Sequence, residues 1–213
     1  MMTKNFGTIA IVDYGMGNLA SVANALGFLG IECVVTRSVQ DLQRAGGIIL
    51  PGVGAFGEAM INLRSLGLIL PLTELVIDQR KPFLGICLGM QLLVERSSEL
   101  GDHEGLGWIP GGVERLPATP DVSVPHVGWA SLKEACADPL LKGIKEGACF
   151  YFDHSYHVVC RDLESVASVH SGVPIAAIMR RDNITATQFH PEKSQRSGLR
   201  LLRNFSNACV AKL

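Results

Sequence analysis

The sequence predicts an α/β fold: a mostly parallel central sheet flanked by helices, with an antiparallel or mixed extension in the second half. Two observations predict it. Through the first half, short apolar runs alternate with segments of helical spacing, and glycine or proline marks the joints. Beyond about residue 108 the helical segments give way to closely spaced strand-like runs. Parallel strands need long crossovers, and helices on both faces of the sheet supply them.

The elements follow in order. The run TIAIVDY (8 to 14) reads as a buried strand. Gly15 and Gly17 then break the chain, and Leu19, Val22, Ala23, Leu26 and Leu29 recur at helical spacing. IECVVT (31 to 36) is a second strand, and Ser38 with Asp41 three residues on resembles a capping box opening a helix. GGIILP (46 to 51) and KPFLGIC (81 to 87) are the third and fourth strands. In the second half GGVERLP, VGWASLK, CFYFDHSYHVV, ESVASV, IAAIMRR and ITATQFH read as strands. The closing SGLRLLRNFSNACVAK is helical, with Leu199, Leu202, Phe205 and Cys209 on one face.

Length and charge narrow the function. A chain of 213 residues fits one domain, 1–213, around one core. A formal charge of −1 leaves no basic footprint, so neither nucleic acid nor an anionic membrane is an expected partner. Lys4 and the short run Ile9 to Val12 do not make a secretory leader, and no run reaches membrane-spanning length, so a cytoplasmic location is expected. The six cysteines are scattered, as suits reduced thiols, and Cys33, Cys149, Cys160 and Cys209 read as small core hydrophobes. No HExxH or zinc-type Cys/His pairing occurs, so no metal and no cofactor are expected.

Three stretches carry chemistry. In PFLGICLGMQLL (82 to 93) a strand ends in Gly85-Ile86-Cys87-Leu88-Gly89 and runs into a helical pattern. This is the cysteine form of a nucleophile elbow, in which small residues allow a strained turn and the helix N-terminus favours the thiolate. A lone G-x-C-x-G also fits a structural cysteine. In TQFHPEKS (187 to 194), His190 and Glu192 stand two apart in an extended segment, where a carboxylate can orient an imidazole on the same face. Together Cys87, His190 and Glu192 make a nucleophile, base and carboxylate in the chain order of α/β enzymes.

In LPGVGAFGEAM (50 to 60) a glycine-rich loop follows a strand without a G-K-[ST] ending or GxGxxG, which disfavours a nucleotide site. A backbone N–H at Gly52 or Val53, with that of Leu88, fits an oxyanion hole, and the freedom of Gly52 would let the Gly52–Val53 peptide turn either way. An ordinary strand-to-helix turn is the plain alternative.

IVDYGMGNL, LPGVGAFGEAM, GICLGMQLL, VPHVGW, YFDHSY and TQFHPEKS together resemble class I glutamine amidotransferases, and within them the glutaminase subunits of the imidazole glycerol phosphate synthase type. The resemblance implies that Cys87 forms a thioester with substrate glutamine while His190 moves protons and Glu192 holds its ring. It implies that Gln91 and the backbone of Ser155 and Tyr156 contact the substrate. It also implies ammonia transfer to a (β/α)8 cyclase subunit, with Asn18, Trp129, Tyr151 and Lys193 at the subunit interface or ammonia exit. Two positions depart from the pattern: Ala130 stands where Asn is usual, and Asp153 where an apolar residue is usual. Both are expected to face the partner, and they keep open a paralogous subunit that feeds ammonia to another synthase, such as one forming amidino sugars for surface polysaccharide.

Overall fold

The computed structural model describes residues 7–118, 124–133, 137–160, 165–170 and 174–210. Lys4, Cys136 and the first residue of the ESVASV run lie outside them.

Along the chain run β1 (Ile9–Val12), α1 (Leu19–Phe28), β2 (Cys33–Thr36), α2 (Val39–Arg44), β3 (Gly47–Gly52), α3 (Phe56–Ser65) and α4 (Ile69–Thr73), which continues as a π-turn over Glu74–Asp78. Then come β4 (Phe83–Cys87), α5 (Leu88–Gln91), β5 (Val94–Ser97), β6 (His103–Glu104) and β7 (Ile109–Arg115). The chain ends with β8 (His126–Ser131), β9 (Cys149–His154), β10 (Tyr156–Val159), β11 (Ser165–His170), β12 (Pro174–Arg181), β13 (Ile184–Thr187) and α6 (Gln195–Val210).

A seven-stranded sheet has the order β11-β12-β13-β4-β3-β1-β2. From β13 to β2 every pairing is parallel, and β12 and β11 add antiparallel. The expected parallel sheet with an antiparallel extension is therefore present. Every residue of β1, β3 and β4 is buried, as in strands covered on both faces. Their side chains alternate between two cores. Ala10, Ile48, Leu50 and Phe83 join Leu42, Ala59, Leu63 and Leu72 on one face. Ile9, Ile11, Ile49, Leu84 and Ile86 join Val22, Leu26, Leu201, Leu202 and Phe205 on the other.

Two expectations are corrected. First, the extension is narrower than the run of second-half strands suggests. Of the second-half strands, β13 joins the main sheet parallel to β4 and β12 and β11 extend it antiparallel, while β10-β7-β5-β6 form a four-stranded sheet and β8-β9 a separate pair. Strand character gives no information on the partner of a strand, which long-range contacts decide. Second, the helix after Cys87 is a single turn, α5, and the chain is back in a strand by Val94. In α6 the half-buried Leu199 packs on the same core as Leu202, Phe205 and Cys209, and Gly198, Leu201 and Ser206 are buried with them.

Among the cysteines, Cys209 is buried, Cys33 and Cys160 are half-buried, and Cys149 is exposed at the start of β9, so the last is not a core residue. Ser38 does cap α2, accepting from Asp41 N at 3.4 Å. The Asp41 carboxylate turns instead to the Thr36 hydroxyl at 2.8 Å. No single helix among the described residues is long and apolar enough to cross a membrane.

The joint between β4 and α5 depends on two glycines. A Cβ on Gly85 would lie 2.7 Å from the Gly89 carbonyl oxygen, and one on Gly89 would overlap the Leu50 carbonyl of β3. Gly89→Ala must push α5 off the sheet, and is expected to cost about 3 kcal/mol. Gly27, exposed in α1 with nothing within 4 Å of a built Cβ, should behave oppositely, Gly27→Ala gaining about 0.5 kcal/mol. Urea unfolding followed by circular dichroism checks both, and a Gly89→Ala midpoint equal to that of the parent chain would refute the packing argument.

Candidate active site

Cys87 ends β4 at φ 55° and ψ −109°, a region that residues with a Cβ avoid, and is 6% exposed. Such strain costs about 1 to 3 kcal/mol and persists only where the surroundings over-determine it. The parallel ladder to β3, which pairs Gly52 with Cys87, and the tight α5 joint supply that constraint. The turn presents the thiol at the carboxyl end of the sheet, where open α/β sheets bind ligands. Since α5 has only four residues, its dipole contributes less to the thiolate than a full helix would.

A cleft of about 390 Å³ opens there, lined by Val53, Gly54, Cys87, Leu88, Gln91, Glu99, Pro125, Asp153, His154, Ser155 and Tyr156. His190 stands beside it. The ring Nδ1 meets Glu192 Oε1 at 2.8 Å, both side chains being almost fully buried. With Nδ1 committed, Nε2 is the nitrogen left to face Cys87. Burial disfavours the charged ring, but hydrogen bonds to Cys87 and Glu192, with their charges, outweigh it and push the His190 pKa up to about 10.

The meeting of His190 and Glu192 does not come from strand alternation, as their spacing suggests. His190 is extended (φ −95°, ψ 96°), but Glu192 sits in a 3-10 turn over Pro191–Lys193. The turn folds the carboxylate back under the ring. The His190 backbone is pinned to β9, its N–H donating to the Tyr151 carbonyl at 2.9 Å and its carbonyl accepting from the Ser194 hydroxyl at 2.6 Å.

Gln91 is 5% exposed, so it is no ordinary surface helix residue. Its NH2 donates to the Tyr156 carbonyl at 2.8 Å and to Gln188 Oε1 at 3.2 Å. Both its hydrogens are then used, and its oxygen is what it can offer a ligand. Tyr156 O also receives His154 Nδ1 at 2.9 Å. Because a carbonyl only accepts, that nitrogen carries the hydrogen, and His154 Nε2 accepts from His126 Nδ1 at 3.2 Å. Burial is the main reason that the His154 pKa falls to about 4, with neighbouring His126, His157 and His190 acting in the same direction against the Tyr156 bond. The Ser155 carbonyl accepts from Leu116 N at 2.9 Å.

Val53 and Leu88 line the cleft, while Gly52 lies just behind. Gly52 is not in the left-handed region. What requires glycine there is space, because a Cβ would overlap the Tyr14 hydroxyl and lie 2.8 Å from Leu88 Cβ. The expected conformational freedom is therefore not the reason for this glycine.

The expected interface residues, of which Trp129 is exposed and Asn18, Tyr151 and Lys193 are half-buried, fall in two places. On the β8–β9 pair, Trp129 faces Tyr151 in register, their rings 5.9 Å apart, and Lys193 Nζ lies 5.4 Å from the Tyr151 ring centroid. Val127 and Asp153, also opposite each other, share this outward face, whereas Phe150, Phe152 and His154 point inward. Ala130 is half-buried against the core, so of the two departures only Asp153 stands with Trp129 and Tyr151. Asn18 is elsewhere, capping α1 by accepting from Ser21 N at 3.4 Å.

The sequence reading missed two residues of the site. Glu99 lines the cleft with one carboxylate oxygen, Oε2, accepting from Phe56 N at 2.7 Å, which leaves the other free. No local pattern marks it. Gln188, beside Phe189 in TQFHPEKS, is fully buried with its NH2 3.7 Å from Cys87 Sγ.

Residues 10–209 match the family model described as glutamine amidotransferase class-I. Imidazole glycerol phosphate synthase subunit HisH 1 of Campylobacter jejuni is 48% identical over 198 residues, covering 93% of this chain and 98% of that protein. Imidazole glycerol phosphate synthase subunit HisH of Desulfitobacterium hafniense is 50% identical over 198 residues and 92% of each chain. Among solved structures, a glutamine amidotransferase superposes with a TM-score of 0.73 at 21% identity, over 96% of this chain and 99% of that one, which shows a shared fold. By the family match and by relatives of nearly equal length, the chain belongs to the class I glutamine amidotransferases.

Proposed function

We propose that the chain is the glutaminase subunit of a cytoplasmic imidazole glycerol phosphate synthase. The observation that carries the chemistry is the strained Cys87 beside His190, whose ring is held by Glu192 at 2.8 Å. Relatives of 48% and 50% identity along nearly their whole length support the choice of synthase.

In this reading glutamine enters the cleft with its α-ammonium at the free oxygens of Glu99 and Gln91, against the Ser155–Tyr156 strand. The Cys87 thiolate attacks the side-chain amide carbon, and the developing oxyanion is received by the N–H groups of Val53 and Leu88. The C–N bond breaks as protonated His190 gives its proton to the nitrogen, releasing ammonia and leaving a γ-glutamyl thioester. Neutral His190 then takes a proton from water as it attacks. Collapse expels the thiolate and glutamate leaves. Glu192 keeps Nδ1 protonated and steadies the imidazolium throughout.

Ammonia passes to a (β/α)8 cyclase subunit that makes imidazole glycerol phosphate and aminoimidazole carboxamide ribotide. The outward face of Val127, Trp129 and Tyr151, with Lys193, suits that partner: Val127 is 54% and Trp129 49% exposed, an apolar cluster next to the cleft. Asn18 would join it from the start of α1. Asp153 on the same face is the one feature that fits a paralogous synthase instead, and identifying the protein that co-purifies with the native chain decides between the two.

Cys87→Ala should abolish glutamine-dependent synthesis by the complex and spare synthesis from added ammonium, since only thioester formation is blocked. Glu192→Gln should retain measurable turnover and His190→Ala much less, because the carboxylate only orients the base. Loss of the ammonium-dependent reaction in folded Cys87→Ala would show that the residue serves assembly.

The two buried histidines also set a pH optimum for stability. An unfolded histidine titrates near 6.5, so between about 6.5 and about 4 the unfolded chain takes up a proton that His154 refuses. Stability then falls as the pH drops through that window, by about 2 to 3 kcal/mol. The contribution of His190 is complete below about 6.5 and is lost as pH rises toward about 10. Urea unfolding at pH 5 and 6.5 tests the acid limb: His154→Gln should make it shallower, with burial of His126 and His157 supplying the remainder, and an unchanged slope would rule His154 out as its main source.

A further inference from the structure

One buried polar group at the nucleophile has no place in the proton transfers. Gln188 is 0% exposed, and its backbone N–H is already satisfied by the Ala177 carbonyl at 2.9 Å. Its side chain bridges Gln91 and Cys87.

The orientation of that bridge follows from a single peptide oxygen. Tyr156 O can only accept, so the end of Gln91 bonded to it at 2.8 Å is the NH2. The same NH2 lies 3.2 Å from a side-chain atom of Gln188, which must therefore be the acceptor Oε1. The NH2 of Gln188 is then the end that faces Cys87 Sγ, 3.7 Å away. An oxygen in that position would repel a thiolate, whereas an N–H stabilises it, and more so in a dry site than in water.

We propose that Gln188 is a further catalytic residue: its amide donates a hydrogen bond to the Cys87 sulfur and favours the thiolate, in an orientation held by Gln91. This rests on the reading of Cys87 as the nucleophile. The bond acts at the two moments when the sulfur carries charge, before attack on the amide and on expulsion from the second tetrahedral intermediate. At the second moment His190 has taken up the proton of water and is charged again, so the thiolate leaves between two donors. Gln91 is then a positioning residue for the nucleophile as well as a wall of the cleft, and Tyr156 ties the strand along the cleft to the reactivity of the thiol.

The test uses iodoacetamide on the whole chain between pH 5 and 9, with mass spectrometry to follow the Cys87 peptide apart from the other thiols. Gln188→Met keeps the length of the side chain and removes the donor. The pH–rate profile of Cys87 alkylation should move up by about one pH unit, which slows the reaction about tenfold on the acid limb of the profile. Gln91→Met, which frees the Gln188 amide to turn, should move the profile the same way by less. If Gln188→Met is poorly folded, the double variant Gln91→Met/Gln188→Met leaves neither amide with a lost partner and should show the full shift. A folded variant lacking the Gln188 amide whose Cys87 profile superimposes on that of the parent chain overturns the proposal. A glutamine-shaped electrophile, 6-diazo-5-oxonorleucine, separates the two ideas: failure of the parent chain to be labelled at Cys87 would defeat the glutaminase reading, while the alkylation profile would still report on Gln188.

Discussion

The arrangement depends on how closely the backbone of α5 approaches β3. No side chain fits between them, since a Cβ on Gly89 would collide with the Leu50 carbonyl and one on Gly52 with Tyr14 and Leu88. This contact forces the chain to turn at the last residue of β4, and Cys87 is that residue. Its unfavourable dihedrals are carried by the fully buried ladder of β4 between β3 and β13. Rigidity of the central sheet is thus converted into the fixed position of one sulfur.

Around that sulfur the polar groups are joined in a chain, and one atom stands at the junction. The Tyr156 carbonyl accepts from Gln91 on one side and from His154 on the other, which uses both of its lone pairs. Through Gln91 it reaches Gln188 and Cys87; through His154 it reaches His126 of the neighbouring strand. Tyr156 belongs to the four-stranded sheet and Cys87 to the seven-stranded one, so these bonds tie the two sheets together at the cleft. Buried amides and imidazoles left unpaired would each be costly, and satisfied ones hold the cleft in one geometry. The same burial sets the two histidines apart. Neutral His154 can serve as a strut, whereas His190, facing a carboxylate and a thiol, holds its proton to about pH 10.

The β8–β9 pair shows how a period of two divides labour. Phe150, Phe152 and His154 turn inward to the core and the cleft, and Trp129, Tyr151, Val127 and Asp153 turn outward. The backbone carbonyl of Asp153 lies 4.0 Å from Cys87 Sγ while its side chain is on the outer face, so anything that docked on that face would press on a strand in contact with Cys87.

The amino-acid sequence by itself determined the parallel core, because β1, β3 and β4 are apolar runs bounded by glycine or proline, and apolar runs of that length have few other ways to be buried. It also marked Cys87, because a tight turn needs its glycines next to the turning residue in the chain, and His190, because a carboxylate stands two residues on. Only the tertiary structure decided the rest. Strands β5 to β10 left the main sheet through long-range pairings to which strand propensity is blind. Glu192 met His190 through a 3-10 turn, although an extended segment would have suggested the same pair. Glu99 and Gln188 joined the site although neither carries a local signature, since their roles come from the atoms they face: Phe56 N and the cleft for one, Gln91 and Cys87 for the other. Hydrogen-bond partners far apart in sequence are selected by distance and direction in the folded chain, and a linear pattern records neither.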